Sequence, residues 1–307
     1  MRLPLVSSAA AAVLAVLAAS ATPTPALAQA GPAAVPLLVD GAWAARRLGD
    51  ADLVVVHAAF DRAEYDAGHL PGARFLPFGA YAVQTTAPDT LRTELPPLDS
   101  LQRTLARLGV TDRSTVLIVG QPIPAARLAF TFAVLGLDGR AAVLDGGVDA
   151  WREAGRPLTR EAPPPAAPGS LTIRPDLRWV AKADDVRAAV RGDGTTVLDA
   201  RLPEFYLGIS ANGFPRAGHV AGAGSVPFTT VTRELGVLRS PADLDRLLAA
   251  AGAAKGMPVV TYCHVGQQAS LLWLAARVAG RQAKMYDGSF QEWSRLSDAP
   301  IATGERR

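Results

Sequence analysis

The chain contains a single cysteine, Cys263, and the residues around it are spaced for sulfur or anion chemistry. A β-branched run, Val259-Val260-Thr261, leads through Tyr262 into the cysteine. His264-Val265-Gly266-Gln267-Gln268 follow, then a helix-like run from Ala269 to Val278 closed by Gly280. The spacing predicts a strand, a tight loop and a helix, with a thiol as the first loop residue. Backbone N–H groups of such a loop point inward, over the positive end of the helix. A thiolate held there is stabilised, so the pKa is expected to fall and the sulfur to serve as a nucleophile near neutral pH. Gly266 allows a turn with φ > 0. A lone cysteine is more often a small buried hydrophobe, but the strand-end position, the glycine and the apolar helix point to function.

The elements that must hold this loop occur twice. Asp52 to Ala58 reads like Thr195 to Ala200, Ala67-Gly68-His69-Leu70-Pro71-Gly72-Ala73 like Ala217-Gly218-His219-Val220-Ala221-Gly222-Ala223, and Leu76-Pro77-Phe78 like Val226-Pro227-Phe228. Asp145-Gly146-Gly147 with Trp151 matches Asp287-Gly288-Ser289 with Trp293. Preserved order means a duplicated domain. In the second copy, Trp179 to Arg191, Pro241 to Ala251 (Ser240 as N-cap), Ala269 to Val278 and Phe290 to Leu296 read as helices. Thr196 to Asp199, Val259 to Tyr262 and Ala283 to Tyr286 read as strands, and Ser289 with Glu292 has capping-box spacing. The expected class is α/β, two tandem domains, each a mainly parallel sheet flanked by helices. Sites in such folds lie beyond the carboxyl ends of strands, where Cys263 falls.

The length of 307 residues suits two domains with their own cores. The expected boundaries are 29–160 for the first domain, 161–170 for a Pro-rich semi-rigid linker, and 171–307 for the domain with the cysteine. The formal charge of +3 comes without a Lys/Arg cluster, which argues against nucleic acid. Met1-Arg2, the apolar run Leu3 to Ala21 and the small-x-small site Ala26-Leu27-Ala28 predict a signal peptide over 1–28 and no stable membrane anchor after its removal. The protein is expected to be exported, to the periplasm if its source is Gram-negative and otherwise secreted. One cysteine in an exported chain excludes an intramolecular disulfide framework.

Four ordered motifs, VLDAR (Val197 to Arg201), AGHVAGAGSVPF (Ala217 to Phe228), VVTYCHVGQQAS (Val259 to Ser270) and YDGSFQEW (Tyr286 to Trp293), together resemble the tandem rhodanese family of sulfurtransferases. That family includes thiosulfate and 3-mercaptopyruvate sulfurtransferases, and the resemblance spans both halves. It implies that Cys263 heads a six-residue persulfide loop, Cys263 to Gln268. The cysteine would take a sulfane sulfur from a small anionic donor and pass it to cyanide or a thiol acceptor, with no cofactor or metal. The first copy has Gly120-Gln121-Pro122-Ile123-Pro124-Ala125 in this place, with no cysteine and two prolines that remove N–H donors from the loop. It reads as catalytically dead.

The donor's anionic end has no obvious anchor. Family members often carry an arginine before the aromatic-x-Gly step, where this chain has Phe205 before Tyr206-Leu207-Gly208. Arg216 is the candidate replacement, against the reading of a solvated loop charge. Arg201 is carried as a second candidate but reads better as part of an ion pair within the domain. His264 either helps the thiol and meets the donor or faces solvent as an ordinary loop residue. Val265, Gln267 and Gln268 match neither the basic pattern of thiosulfate enzymes nor the small neutral pattern of mercaptopyruvate enzymes. Asp199, His69, His219, Trp151 and Trp293 read as structural, and Asp287 and Ser289 as helix caps. A phosphatase or arsenate reductase is disfavoured, because Ala269 stands where an oxyanion-chelating arginine would be needed and the next arginine is Arg277. A non-enzymatic persulfide carrier serving a specific partner stays open as an alternative.

Overall fold

Two five-stranded parallel sheets with the same strand order organise the protein. The computed structural model describes Met1, residues 33–87 and residues 89–305, so the expected signal segment lies outside the described residues apart from Met1. In the first domain the chain runs β1 (Leu38–Val39), α1 (Gly41–Arg47), β2 (Leu53–Ala59), α2 (Arg62–Ala67), β3 (Arg74–Pro77) and α3 (Leu98–Arg107). It continues through β4 (Thr115–Val119), α4 (Pro122–Val134), β5 (Ala141–Leu144) and α5 (Gly147–Glu153). The second domain begins with β6 (Val180–Ala181), α6 (Ala183–Val190), β7 (Thr196–Asp199), α7 (Pro203–Tyr206), β8 (His219–Val220) and β9 (Gly224–Ser225). It closes with α8 (Pro241–Ala250), β10 (Val259–Tyr262), α9 (Gln267–Val278), β11 (Ala283–Tyr286), α10 (Ser289–Trp293) and β12 (Ile301–Ala302).

The sheet orders are β1-β5-β4-β2-β3 and β6-β11-β10-β7-β9, which puts β4 and β10 at the two centres. Every residue of both central strands is buried, as expected of a strand covered by helices on both faces. Helices α4 and α9 follow those strands and, apart from Arg127 in α4 and the polar ends of α9, are largely apolar and buried. Such helices belong inside a protein rather than on its surface. They meet between the sheets, where Phe130 packs edge-on against Trp273 with ring centroids 5.3 Å apart. One apolar cluster therefore runs through both domains, from Val54 and Phe130 to Trp273 and Met285. Each large side chain buried there stabilises the fold by about 1.5–3 kcal/mol. No helix among the described residues is long and apolar enough to cross a membrane.

Three element boundaries differ from expectation. Trp179 to Arg191 is not one helix: a 3-10 turn ends at Trp179, and Val180–Ala181 pairs with Met285 and Tyr286 at the sheet edge before α6 starts. The Asp185 carboxylate accepts from the Lys182 N–H and fixes that start. α9 begins at Gln267, so Gln267 and Gln268 form its first turn rather than the end of a loop. α10 spans Ser289–Trp293 instead of continuing to Leu296. The proline-rich stretch 161–170 has no regular secondary structure and stays tied to the first domain, with Gly169 N–H donating to Ala106 O at 2.8 Å and Ser170 O accepting from Asp112 N–H at 3.0 Å.

Candidate active site

Cys263 is the first residue beyond the central strand β10 and is fully buried. Gly266 ends the loop at φ +85° and serves as N-cap of α9. A Cβ at that position would lie 3.0 Å from both the carbonyl and a carboxylate oxygen of Asp287, so only glycine turns the chain here without displacement. The backbone N–H groups of Ala269, Val265 and Gly266 act on the sulfur and favour its anion, as the strand-loop-helix spacing predicted. Burial outweighs them. Loss of hydration, aided by the negative charge of Asp199, leaves the thiol above its ordinary pKa rather than below it. The expectation of a lowered pKa is therefore corrected: the cradle offsets part of a desolvation cost.

The loop backbone is held by α10. The Cys263 N–H donates to Ser289 Oγ at 3.2 Å, and that hydroxyl donates to Tyr286 O at 2.8 Å. Phe290 N–H donates to Cys263 O at 3.0 Å, and Gln291 N–H to His264 O at 2.9 Å. Ser289 and Asp287 are thus not helix caps. The N-cap of α10 is Gly288, and Ser289 sits at φ +51°, a conformation costly for a residue with a Cβ.

Asp287 instead crosses to the first domain. Its Oδ1 accepts from Arg127 Nη1 at 2.6 Å and its Oδ2 from Leu95 N–H at 2.9 Å. Arg127 lies on α4, is fully buried, and also donates to Thr93 O. The Thr93 hydroxyl donates to Val265 O, inside the cysteine loop. Gln291 accepts from Arg92 N–H at 2.9 Å and donates to Thr90 O at 3.2 Å. Residues 90–95 of the cysteine-free domain are thereby stitched onto the loop of the other. Sequence reasoning overlooked Arg127, Thr93, Arg92 and Gln291. Only Arg127 left a signal, as the lone charge in the otherwise apolar α4.

Below Cys263 lies a buried polar network. Asp199 accepts from Arg201 Nη2 at 2.6 Å and from the Tyr262 hydroxyl at 2.6 Å, and Arg201 also donates to Gly218 O at 2.7 Å. Arg201 is thus closed into a pair and is 1% exposed, which removes it as a donor anchor. Arg216 is corrected as well. Its guanidinium donates to the carbonyls of Trp293, Ser294, Leu296 and Ala299, closing the carboxyl end of α10. Its donors are committed to the backbone and not to a ligand.

His264 neither faces solvent nor carries charge. It is 9% exposed, edge-on to Phe205 at 4.5 Å and near Phe214 at 5.8 Å. Burial, with the positive charges of Arg201 and Arg92, lowers its pKa from 6.5 to about 4. A ring held neutral in this way lends no positive charge to a thiolate and is a weak base toward the thiol. Its Nε2 and the Oε1 of Gln268 are buried and without hydrogen-bond partners among the described residues. His69 and His219 stack on Tyr65 and Tyr206 and bond to those tyrosines' carbonyls, a matching structural role in both domains. Among the described residues no cluster of His, Cys, Asp and Glu could hold a metal ion. Arg277, the first arginine after the loop, pairs with Asp138 and lies 4.2 Å over Trp179, in the last turn of α9 and away from the sulfur.

A family model described as a Rhodanese-like domain matches residues 40–154 and again 182–296. The chain is 30% identical over 284 residues to the sulfur carrier protein TtuD of Thermus thermophilus, covering 88% of this chain and 97% of that protein. It is also 30% identical over 281 residues to a thiosulfate sulfurtransferase of Corynebacterium glutamicum, covering 87% and 91%. Among solved structures, YnjE matches with a TM-score of 0.76 at 23% identity, over 88% of this chain and 69% of that one. Wild-type EanB matches with a TM-score of 0.75 at 21% identity, over 87% and 69%. At these identities the two structures bear on the fold alone.

Proposed function

Since the chain belongs to the rhodanese family, as two rhodanese-like domains in tandem with the general activity of a sulfurtransferase, we propose that it moves sulfane sulfur from thiosulfate or 3-mercaptopyruvate, through a persulfide on Cys263, to cyanide or a thiol. The observation that carries this reading is the cradle of N–H groups from Val265, Gly266 and Ala269 around the sulfur at the end of the central strand. With thiosulfate, the Cys263 thiolate attacks the outer sulfur, the S–S bond of the donor breaks, and sulfite leaves with its electron pair. The persulfide keeps one negative charge. Cyanide then attacks the terminal sulfur, thiocyanate leaves, and the thiolate is restored. With 3-mercaptopyruvate, the C–S bond breaks instead, and the enolate of pyruvate leaves and takes up a proton. Fixed N–H dipoles stabilise each anionic sulfur without reorganising, so no cofactor is required. We place the activity outside the cytoplasm, on the strength of the amino-terminal segment alone.

Intact mass after incubation with each donor tests the reading. One added sulfur, removed by cyanide and absent in Cys263→Ser, is the expected result. A wild-type chain that gains no sulfur from either donor would favour the second reading, a persulfide carrier loaded by a protein partner. That alternative draws on the full burial of Cys263 and on the 30% identical relative named as a sulfur carrier.

A further inference from the structure

Two cationic candidates in the catalytic domain, Arg201 and Arg216, are spent on internal partners. An anionic donor nevertheless has to approach a thiolate against charge repulsion. Among the described residues, an exposed cation beside the loop comes from the other domain. Arg92 precedes Thr93, whose hydroxyl binds Val265 O, and its own N–H is bound by Gln291, whose N–H in turn holds His264 O. These bonds place its backbone at the rim of the cysteine loop whatever its side chain does. The Arg92 side chain is exposed, with no ion-pair partner among the described residues. Its positive charge is felt at the His264 ring. That ring keeps a buried Nε2 with no partner, next in sequence to the nucleophile. A buried polar atom left unsatisfied costs about 1–3 kcal/mol unless a ligand or water meets it.

We infer that Arg92, supplied by the cysteine-free domain, binds the anionic end of the sulfur donor, with His264 Nε2 as a neutral second contact. The inference deepens the function proposed above and rests on its anionic donor. It makes the dead domain a part of the substrate site rather than only a wall. Arg92 does not touch the transferred sulfur, so it sets donor binding and leaves the discharge step alone.

The test uses the full chain and three variants, Arg92→Ala, Arg92→Lys and Arg92→Glu, all of which keep the backbone N–H that Gln291 holds. With thiosulfate and cyanide, Arg92→Ala should raise the KM for thiosulfate roughly tenfold, the loss of one charge-assisted contact. The KM for cyanide and kcat should stay within about twofold of wild type. Arg92→Lys should recover most of the loss and Arg92→Glu should deepen it. The donor KM of wild type should climb with salt and that of Arg92→Ala should not. A second readout needs no turnover: because Cys263 is the chain's only cysteine, its alkylation rate by anionic iodoacetate relative to neutral iodoacetamide reports the local field. That ratio should fall in Arg92→Ala and return in Arg92→Lys. A wild-type protein inactive with both donors would sink the proposed function while the alkylation ratio still decided Arg92. An unchanged ratio, or an unchanged donor KM in Arg92→Ala, overturns the inference.

Discussion

The two copies of the domain place different residues at one structural junction. In the first, β4 ends at Val119 and Gly120 follows, at φ +143° and with no room for a side chain: a Cβ would lie 2.1 Å from Ala58 O. Gly147, at φ +55°, stands against it, and a Cβ there would lie 2.2 Å from Gly120 O. In the second, Cys263 takes the place of Gly120 and Ser289, at φ +51°, the place of Gly147, with the serine hydroxyl accepting the cysteine N–H. The connection also differs. Gly120 and Gln121 alone join β4 to α4, whereas Cys263 to Gly266 join β10 to α9. The prolines of the first copy fall in the first turn of α4 and not in a loop, so the cradle is missing because the loop is shorter, more than because N–H groups were deleted. One topology thus gives a closed joint in one case and an anion cradle in the other.

The Asp-Gly turns make the same point across the domain boundary. Asp145 accepts the Leu238 N–H of the second domain at 2.8 Å, and Asp287 accepts the Leu95 N–H of the first at 2.9 Å. The exchange is reciprocal, but only Asp287 also meets a buried guanidinium, that of Arg127. The extra bond sits where it ties the cysteine loop, through Thr93 and Val265, to the opposite domain.

The largest effect should come from exchanging the junction residues. Cys263→Ser is expected to abolish sulfur loading, read by intact mass, while the far-UV and thermal profiles stay near wild type. Gly120→Cys should create no second sulfur site and should cost at least about 2–3 kcal/mol by denaturant melt, because its Cβ has nowhere to go. A second loaded sulfur on that variant would show that the shortened joint does not bar the first copy from carrying sulfur. Next, Arg127→Met should destabilise the protein by about 3–5 kcal/mol, since it strands the buried Asp287 carboxylate. Asp145→Asn, which leaves no buried cation unpaired, should cost about 1 kcal/mol or less. Equal losses would dissolve the distinction between the two turns.

A smaller change is expected from Ser289→Gly. It relieves the positive φ but removes the acceptor for the Cys263 N–H, so stability should move by less than about 1 kcal/mol while sulfur loading slows several-fold. The pH dependence gives the finest comparison. The thiol of Cys263 is raised by burial, so its thiolate fraction falls below that of an ordinary cysteine at neutral pH. Alkylation by iodoacetamide should therefore keep accelerating as pH rises through and beyond the usual cysteine range, and a plateau reached below pH 7 would contradict the cradle's subordinate role. His264 titrates at about 4 instead of 6.5, so the unfolded chain binds the extra proton first. Stability should be complete above pH 6.5 and decline as pH falls toward 4, by about 1–3 kcal/mol. His264→Asn should flatten that part of the profile.

Much of the architecture could be read from the chain alone because it is written in local, repeated patterns. Strand runs of β-branched residues, apolar helices and glycines needing φ > 0 are properties of short segments. Cys263 and Gly266 were legible in this way, and so was an ion pair for Arg201 within its domain, whose partner, Asp199, only the fold identifies. Trp179 to Arg191 reads locally as a single helix because Val180 and Ala181 become a strand only by joining β11, a contact that no local period announces. Arg216 differs from expectation for a similar reason. An arginine in a loop gives the same sequence signal whether it meets an anion or the four carbonyls it closes.

Local patterns in the chain carry the duplication, the parallel α/β class and the place of the lone thiol at the head of the β10–α9 loop, because the period and the glycines constrain the backbone wherever they occur. Packing of the whole molecule decided the state of that thiol and the owners of its surroundings. The thiol pKa depends on how deeply the sulfur is buried beneath two packed domains, and the sign follows from desolvation outweighing three N–H dipoles. Thr93 and Arg127 reach the loop, and Arg92 reaches Gln291 beside it, from more than a hundred residues away in sequence. Contacts of that range follow from the packing of α4 on α9, a whole-molecule property that no stretch of the chain contains.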